Sequence, residues 1–198
     1  MIEKGIIVSI QEYSTSTTQE LVRAAIKGGA VAIRTNRPIY SDVPIIALEK
    51  IPGKKYYITT TKQAIQYCSF GQYVAIDSRC GNQDLDLLLA FCHINEYSIA
   101  ADIENIGDVK NIINICQSKK IEMPKYLSTT FSFMETMKHD FQLIKEIKKI
   151  IDIPVIAEGK IKTIEDVKKA FDFGANNVCV GSEISDIKYL TKKFTEVI

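Results

Sequence analysis

IPVIAEGK, residues 153–160, is an apolar run that ends in an acid, a glycine and a lysine. A strand of a parallel sheet has this composition, because helices cover both of its faces. Thr163 follows with Asp166 three positions later, which is close to a capping box and predicts the start of a helix. The segment therefore predicts an α/β fold in which Glu158 ends a strand, where such folds place their chemistry.

The same pattern of strand and helix recurs about eight times along the chain. In a barrel all strand ends meet at one mouth, whereas an open sheet needs polar ends only near its switch point. The GxGxxG fingerprint of a dinucleotide-binding open sheet is also absent. We therefore expect a single-domain (β/α)8 TIM barrel over residues 1–198. Its strands are predicted to end at Gln11, Arg34, Lys50, Asp77, Asp102, Thr129 and Thr130, Glu158, and Gly181 with Ser182.

The connection between the second and third strands is short. Residues 36–42 separate the two apolar runs, and a parallel connection with a helix usually takes a dozen or more residues. We expect this connection to lack a helix. A further short strand is expected at residues 56–59.

Composition limits the classes of function. With 25 basic and 24 acidic residues, the formal net charge of +1 gives no footprint for nucleic acid or for a membrane surface. No apolar run has the length of a membrane-spanning helix, and the amino terminus lacks the layout of a signal peptide. The five cysteines are scattered without a CxxC pair and the two histidines are far apart, so no metal site is predicted. We expect a cytoplasmic protein with reduced thiols.

The last two strand-to-helix connections have the features of a phosphate site. Glycines let backbone N–H groups approach an anion, and TIM barrels commonly hold phosphate at these connections. The candidates are Gly159, Lys160, Gly181 and Ser182. The alternative is that the glycines only form turns and that Lys160 is solvated.

An ordered set of segments resembles a known family. These segments are residues 8–11, 32–36, 44–50, 57–61, 75–77, 101–103, 155–159 and 180–182. Together they are similar to the N-acetylmannosamine-6-phosphate 2-epimerases of bacterial sialic acid catabolism. The resemblance implies a cofactor-independent isomerase on a (β/α)8 barrel that acts on a phosphorylated amino sugar. It implies catalytic roles for Lys50 and Glu158, and a substrate pocket lined by Gln11, Arg34, Asp77, Asp102 and Thr129.

Lysine and glutamate fit this chemistry. Epimerisation at C2 removes a proton that is acidic only when the ring opens and C1 becomes a carbonyl. A lysine with a depressed pKa can act as the base, and a carboxyl group can transfer protons during ring opening or to the enolate oxygen. Lys50 is therefore the expected base and Glu158 the partner acid.

Other interpretations of single residues remain open. Lys50 could lie in a solvated charged loop, Asp77 and Asp102 could be helix N-caps, and Arg34 could form a salt bridge at the rim. His139 is expected on the surface. The leucine-rich helix over residues 85–94 is explained by the core or by a homodimer interface.

The chain also departs from the family pattern. Phe133 stands where the family has a glycine, and Asp186 lies where it has an arginine. These departures leave two alternatives: a barrel that binds a sugar phosphate without turnover, and an epimerase for a different acylamino sugar. A ribulose-phosphate epimerase relative would need metal-binding histidines at strand ends, and the sequence has none there.

Overall fold

The computed structural model describes residues 1–11, 13–49, 58–133 and 138–196. Eight parallel strands form one closed barrel in chain order, and β8 pairs with β1 to close it. The predicted (β/α)8 barrel is confirmed. The strands are β1 (Gly5–Ile10), β2 (Ala32–Thr35), β3 (Ile45–Ala47), β4 (Tyr73–Asp77), β5 (Ile99–Asp102), β6 (Tyr126–Ser128), β7 (Val155–Ala157) and β8 (Asn177–Val180).

Helices surround the barrel, and six of the eight described helices begin at a side-chain cap. Thr163 and Asp166 form the capping box predicted for α6. The sequence did not predict the short α7, which directly follows β8. The helices are α1 (Thr15–Lys27), α2 (Thr61–Cys68), α3 (Asn82–Ile94), α4 (Ile106–Lys119), α5 (Phe141–Ile150), α6 (Ile164–Asp172), α7 (Ser182–Ser185) and α8 (Ile187–Thr195).

The connection from β2 to β3 contains no helix, as predicted. Its Ile39 is buried and belongs to the apolar cluster of Ile33 and Ile45, so the loop itself covers the outer face of these strands. The side-chain amide of Gln19 in α1 bonds both the N–H and the carbonyl of Tyr40. Of the short strand expected at residues 56–59, Ile58 pairs singly with Ile76, and residues 56 and 57 lie outside the described residues.

The barrel interior changes from apolar to polar along each strand. Side chains alternate between the two faces of a strand, so residues two apart share a face. One buried cluster fills the interior: Ile2, Ile7, Ala32, Ile46, Leu48, Ala75, Ala100, Tyr126, Ile156 and Cys179. Two positions beyond its members on six strands are Ser9, Arg34, Asp77, Asp102, Ser128 and Glu158. The carboxyl-terminal mouth of the barrel therefore collects the polar side chains.

The leucines of α3 serve the core. Leu85, Leu88 and Leu89 are buried between helix and barrel, whereas Leu87 and Ile94 are exposed. Core packing therefore explains most of this apolar run, and a homodimer stays a prediction. Among the described helices, none is both long enough and apolar enough to cross a bilayer. The part of the chain that the structure describes contains no group of acidic, histidine and cysteine side chains that could hold a metal ion.

Candidate active site

Arg34 lies at the centre of the polar layer. Its side chain is only 1% exposed, so its salt bridge lies inside the barrel and not at the rim, which was the alternative interpretation. Nη2 lies 2.6 Å from Oδ2 of Asp102, and Nε lies 3.1 Å from Oε1 of Glu158. Burial alone would lower the pKa of Arg34, but the two carboxylates outweigh it and raise that pKa above its ordinary value. The guanidinium is therefore permanently charged and held between β5 and β7.

Asp102 accepts two short hydrogen bonds at the end of β5. One comes from Arg34 and the other from the hydroxyl of Thr130, whose Oγ1 lies 2.6 Å from Oδ1. Burial raises the pKa of Asp102, while Arg34 and Thr130 oppose that rise because both stabilise the carboxylate. The alternative role of Asp102 as a helix N-cap is excluded, because Asn105 caps α4.

Glu158 follows β7 and keeps part of its surface exposed, with 12% of the side chain accessible. Oε2 accepts a hydrogen bond from Ser128 at 3.2 Å, and the buried thiol of Cys179 donates to the same carboxylate. Burial raises the pKa of Glu158, Arg34 lowers it and the neighbouring Asp102 raises it further. A carboxyl group whose pKa is raised in this way is suited to general acid–base catalysis.

The two carboxyl groups share one guanidinium. If both were ionised, the three groups would carry a net charge of −1 in a buried site, which is costly. Asp102 is fully buried and makes the two shorter contacts, so it holds the negative charge more strongly. Glu158 makes longer contacts and faces the opening, so it is the member that takes up a proton.

Asp77 at the end of β4 forms a salt bridge with Arg79 that the sequence reasoning missed. Its two carboxylate oxygens accept from Nε and Nη2 of Arg79, at 3.0 and 2.9 Å. The guanidinium carbon of Arg79 lies 3.3 Å from the ring centre of Phe131. Asp77 does not cap α3, which begins at Asn82 after the N-cap residue Gly81 and has no side-chain cap. The spacing of Asp77 and Arg79, two residues apart after a strand, was the only available signal.

Gln11 and Arg34 carry buried polar atoms that have no hydrogen-bond partner among the described residues. Nε2 of Gln11 donates to Ser9 at 2.7 Å, but Oε1 of Gln11 makes no hydrogen bond. The same holds for Nη1 of Arg34. Buried polar groups are normally satisfied, so a free acceptor and a free donor in this layer suit a polar ligand.

Thr129 lies beneath the acid rather than beside its carboxyl group. Its fully buried hydroxyl accepts from the backbone N–H of Glu158 at 3.2 Å. It therefore fixes the backbone from which the Glu158 side chain projects. Its contact with substrate stays a prediction.

Gly159 has a conformation that requires glycine. Its φ is +94°, and a Cβ atom would lie 2.6 Å from the carbonyl oxygen of Thr130 and 2.9 Å from the ring of Phe133. Nδ1 of His139 donates to the Gly159 carbonyl at 2.9 Å. His139 is buried, so the expectation of a surface histidine is wrong.

We expect Gly159→Ala to lower the free energy of unfolding by about 2–4 kcal/mol, since the new methyl group meets both strain and a steric clash. Gly29→Ala is the matched control, because Gly29 has φ +96° with nothing within 4 Å of a Cβ. Urea unfolding of both variants measures the difference. Equal losses in the two variants would show that a clash of the new methyl group with Thr130 and Phe133 does not contribute to the loss of stability.

The predicted phosphate residues lie in two adjacent connections, because β7 pairs with β8. Gly181 precedes α7 and Ser182 is its first residue. Lys160 is exposed, with Nζ 5.2 Å from the ring centre of Phe133. Asp186 is engaged elsewhere: its carboxylate caps α8 by accepting from the N–H of Tyr189 at 2.8 Å. Phosphate binding here stays a prediction.

The predicted base, Lys50, lies outside the described residues. The described structure brings together Arg34, Asp102 and Glu158, with Thr129 behind Glu158. Sequence reasoning gave no role to Ser128, and none to Cys179 beyond that of a reduced thiol. The alternation of side chains along a strand was the available signal for both residues. Cys179 belongs to the interior cluster, and Ser128 is two positions after Tyr126 of the same cluster.

Comparisons with known proteins identify the family of this chain. A family model described as "Putative N-acetylmannosamine-6-phosphate epimerase" matches residues 18–198. A relative from Clostridioides difficile (strain 630), named "Putative N-acetylmannosamine-6-phosphate 2-epimerase", is 31% identical over 90% of this chain and 86% of its own. One from Staphylococcus aureus (strain JH9) with the same name is 28% identical over 100% of this chain and 99% of its own.

A solved structure gives the same result. The N-acetylmannosamine-6-phosphate 2-epimerase from Clostridium perfringens superposes with a TM-score of 0.82 at 26% identity, covering 100% of this chain and 94% of that one. The family match, the relatives and the fold agree. The chain belongs to the N-acetylmannosamine-6-phosphate epimerase family of isomerases.

Proposed function

We propose that this protein interconverts N-acetylmannosamine 6-phosphate and N-acetylglucosamine 6-phosphate, without a cofactor, by removing and returning the proton at C2. The observation that carries the proposal is the buried cluster of Arg34, Asp102 and Glu158 at the barrel mouth. It offers an acid that exchanges protons beside a fixed positive charge, which stabilises an enolate oxygen. The family match supports the substrate class.

In this mechanism Glu158 transfers protons during ring opening and to the enolate oxygen, and Lys50 removes the C2 proton. The role of Lys50 rests on the family resemblance and on strand alternation. Leu48 belongs to the interior cluster, and Lys50 is two positions further along the sequence. Lysine is a suitable base where nearby cations or burial depress its pKa.

Binding of the substrate is divided between two parts of the mouth. Nη1 of Arg34 and Oε1 of Gln11 are available to sugar hydroxyl and acetamido groups, and Asp77 and Thr129 complete the sugar pocket. Gly159, Lys160, Gly181 and Ser182 form the phosphate end. Because Asp186 caps α8, its carboxylate does not have to oppose the phosphate. We place the reaction in amino sugar catabolism, in the cytoplasm.

The direct test is hydrogen exchange at C2. We expect incubation with N-acetylmannosamine 6-phosphate in deuterated water to give N-acetylglucosamine 6-phosphate with deuterium at C2, followed by proton NMR. The unphosphorylated sugar is the matched control and should react far more slowly if the phosphate end is used. Product without deuterium at C2 would exclude the deprotonation mechanism.

A second candidate is a barrel that binds the sugar phosphate without turnover. The contact between Phe133 and Gly159 favours it, because an aromatic ring beside the phosphate glycine reduces the room for substrate. Tight binding by calorimetry with no C2 exchange would support this candidate. Exchange with a different N-acyl sugar phosphate, and not with the acetyl compound, would instead indicate an altered acyl specificity.

A further inference from the structure

Two hydroxyl groups connect the carboxyl groups of the candidate site. Oε2 of Glu158 lies 3.2 Å from Oγ of Ser128, which lies 2.9 Å from Oγ1 of Thr130, which lies 2.6 Å from Oδ1 of Asp102. All four side chains come from β5, β6 and β7 or the residues just after them, and both hydroxyl groups are buried. The chain of contacts therefore has four oxygens and three gaps.

Counting protons shows that this chain of hydrogen bonds is incomplete when both Glu158 and Asp102 are ionised. Each hydrogen bond needs one proton, and a hydroxyl group can donate only one. Thr130 donates to Asp102, so Ser128 must choose between Thr130 and Glu158. One gap then holds two oxygens without a proton between them. A single proton added to one carboxyl group fills all three gaps.

The position of that proton follows from the groups around each acid. Asp102 faces the charged Arg34 at 2.6 Å, and Arg79 acts on it at longer range, against the opposing charge of Asp77. Glu158 faces Arg34 at 3.1 Å and the Cys179 thiol. The closer cation keeps Asp102 ionised, so the proton belongs on Glu158.

We propose that Ser128 and Thr130 are positioning residues that form a proton relay: Glu158 donates to Ser128, Ser128 to Thr130, and Thr130 to the Asp102 carboxylate. The relay holds Glu158 in its acid form before substrate reacts. When Glu158 gives up its proton, Ser128 turns to donate to the new carboxylate, and the chain refills when the proton returns. No bond other than O–H is made or broken. The use of this proton in epimerisation rests on the proposed function, but the relay itself does not.

The test measures the pKa of Glu158 by carbon NMR titration of protein labelled at the glutamate carboxyl carbon. Glu158→Gln identifies the resonance by its loss. We expect Ser128→Ala to lower this pKa by about one unit, since the protonated form loses the advantage of one extra hydrogen bond. If Ser128 only donates to the ionised acid, the same change raises the pKa instead. A rise or an unchanged value overturns the relay.

Thr130 gives an independent pair of variants. Thr130→Val keeps the shape but removes the hydroxyl group, so we expect it also to lower the pKa of Glu158, although Thr130 is not bonded to Glu158. Thr130→Ser restores the hydroxyl group and should return the pKa to the wild-type value. Equal pKa values in the valine and serine proteins contradict the relay, even if Ser128→Ala does not fold.

Kinetics separate the relay from the function. In the relay variants the alkaline limb of kcat/KM for N-acetylmannosamine 6-phosphate should move to lower pH, by the shift that NMR measures. If wild-type protein shows no turnover, the proposed function fails while the titration still decides the relay. If turnover is normal and the NMR shifts are absent, the relay fails while the function stands.

Discussion

Glu158→Gln is expected to lower kcat/KM for N-acetylmannosamine 6-phosphate by about 10²–10⁴-fold, the usual weight of a positioned acid or base. Glutamine keeps the size of the side chain but cannot give up or take a proton. Lys50→Met should cause a loss of similar size, because it removes the base at C2. Coupled assay of product formation at neutral pH measures both.

The control for Glu158→Gln is Glu146→Gln, which makes the same chemical change on the exposed surface of α5. It should retain wild-type activity. Circular dichroism confirms that each variant is folded. A Glu158→Gln or Lys50→Met protein that epimerises at the wild-type rate would refute the assignment of that residue.

Arg34→Met is expected to lower the free energy of unfolding by about 3–5 kcal/mol at neutral pH. The change leaves Asp102 and Glu158 buried without the cation that they share. Arg23→Met is the matched control, because Arg23 also contacts a carboxylate, that of Glu20, but both side chains are largely exposed. Its loss should be about 0–1 kcal/mol. Urea unfolding provides the comparison.

The loss in Arg34→Met should depend on pH. Without Arg34, burial raises the pKa of both carboxyl groups in the folded state above their unfolded values. Groups of this kind support the fold when protonated, and that support is lost as pH rises through the folded-state pKa. The deficit against wild type should therefore be smaller near pH 5 than near pH 8. A deficit that does not change with pH would mean that lost packing, rather than unpaired charge, causes the instability.

The sequence was sufficient to predict the barrel, because the sequence signals for strands, helices and turns are local. Apolar runs, caps and turn glycines act within a few residues, and each predicted strand end with a described position lies at the mouth. Alternation also predicts which side chains enter the interior, once the strands are placed.

Contacts across the barrel could not be predicted in the same way. Arg34 reaches Asp102 and Glu158 from a strand that pairs with neither, so the contact depends on barrel closure, side-chain length and tilt. His139 was misplaced because its partner, the carbonyl of Gly159, is twenty residues away and has no side-chain signature. The pairing of Asp77 with Arg79 was missed because caps and ion pairs use the same residue types.

The length of the helix-free connection after β2 limits the path that it can take between the two strands. Nine residues, 36–44, return the chain to the start of β3. If all nine residues were coiled as a helix, they would advance about 14 Å. No residue would then remain to cross the roughly 10 Å between the strand layer and the helix layer in each direction. Extended, they can span about 30 Å. At this length an extended path reaches β3 where a full crossover helix cannot, and Ile39 of the loop joins Val22 of α1 in covering the outer face of the wall that carries Arg34.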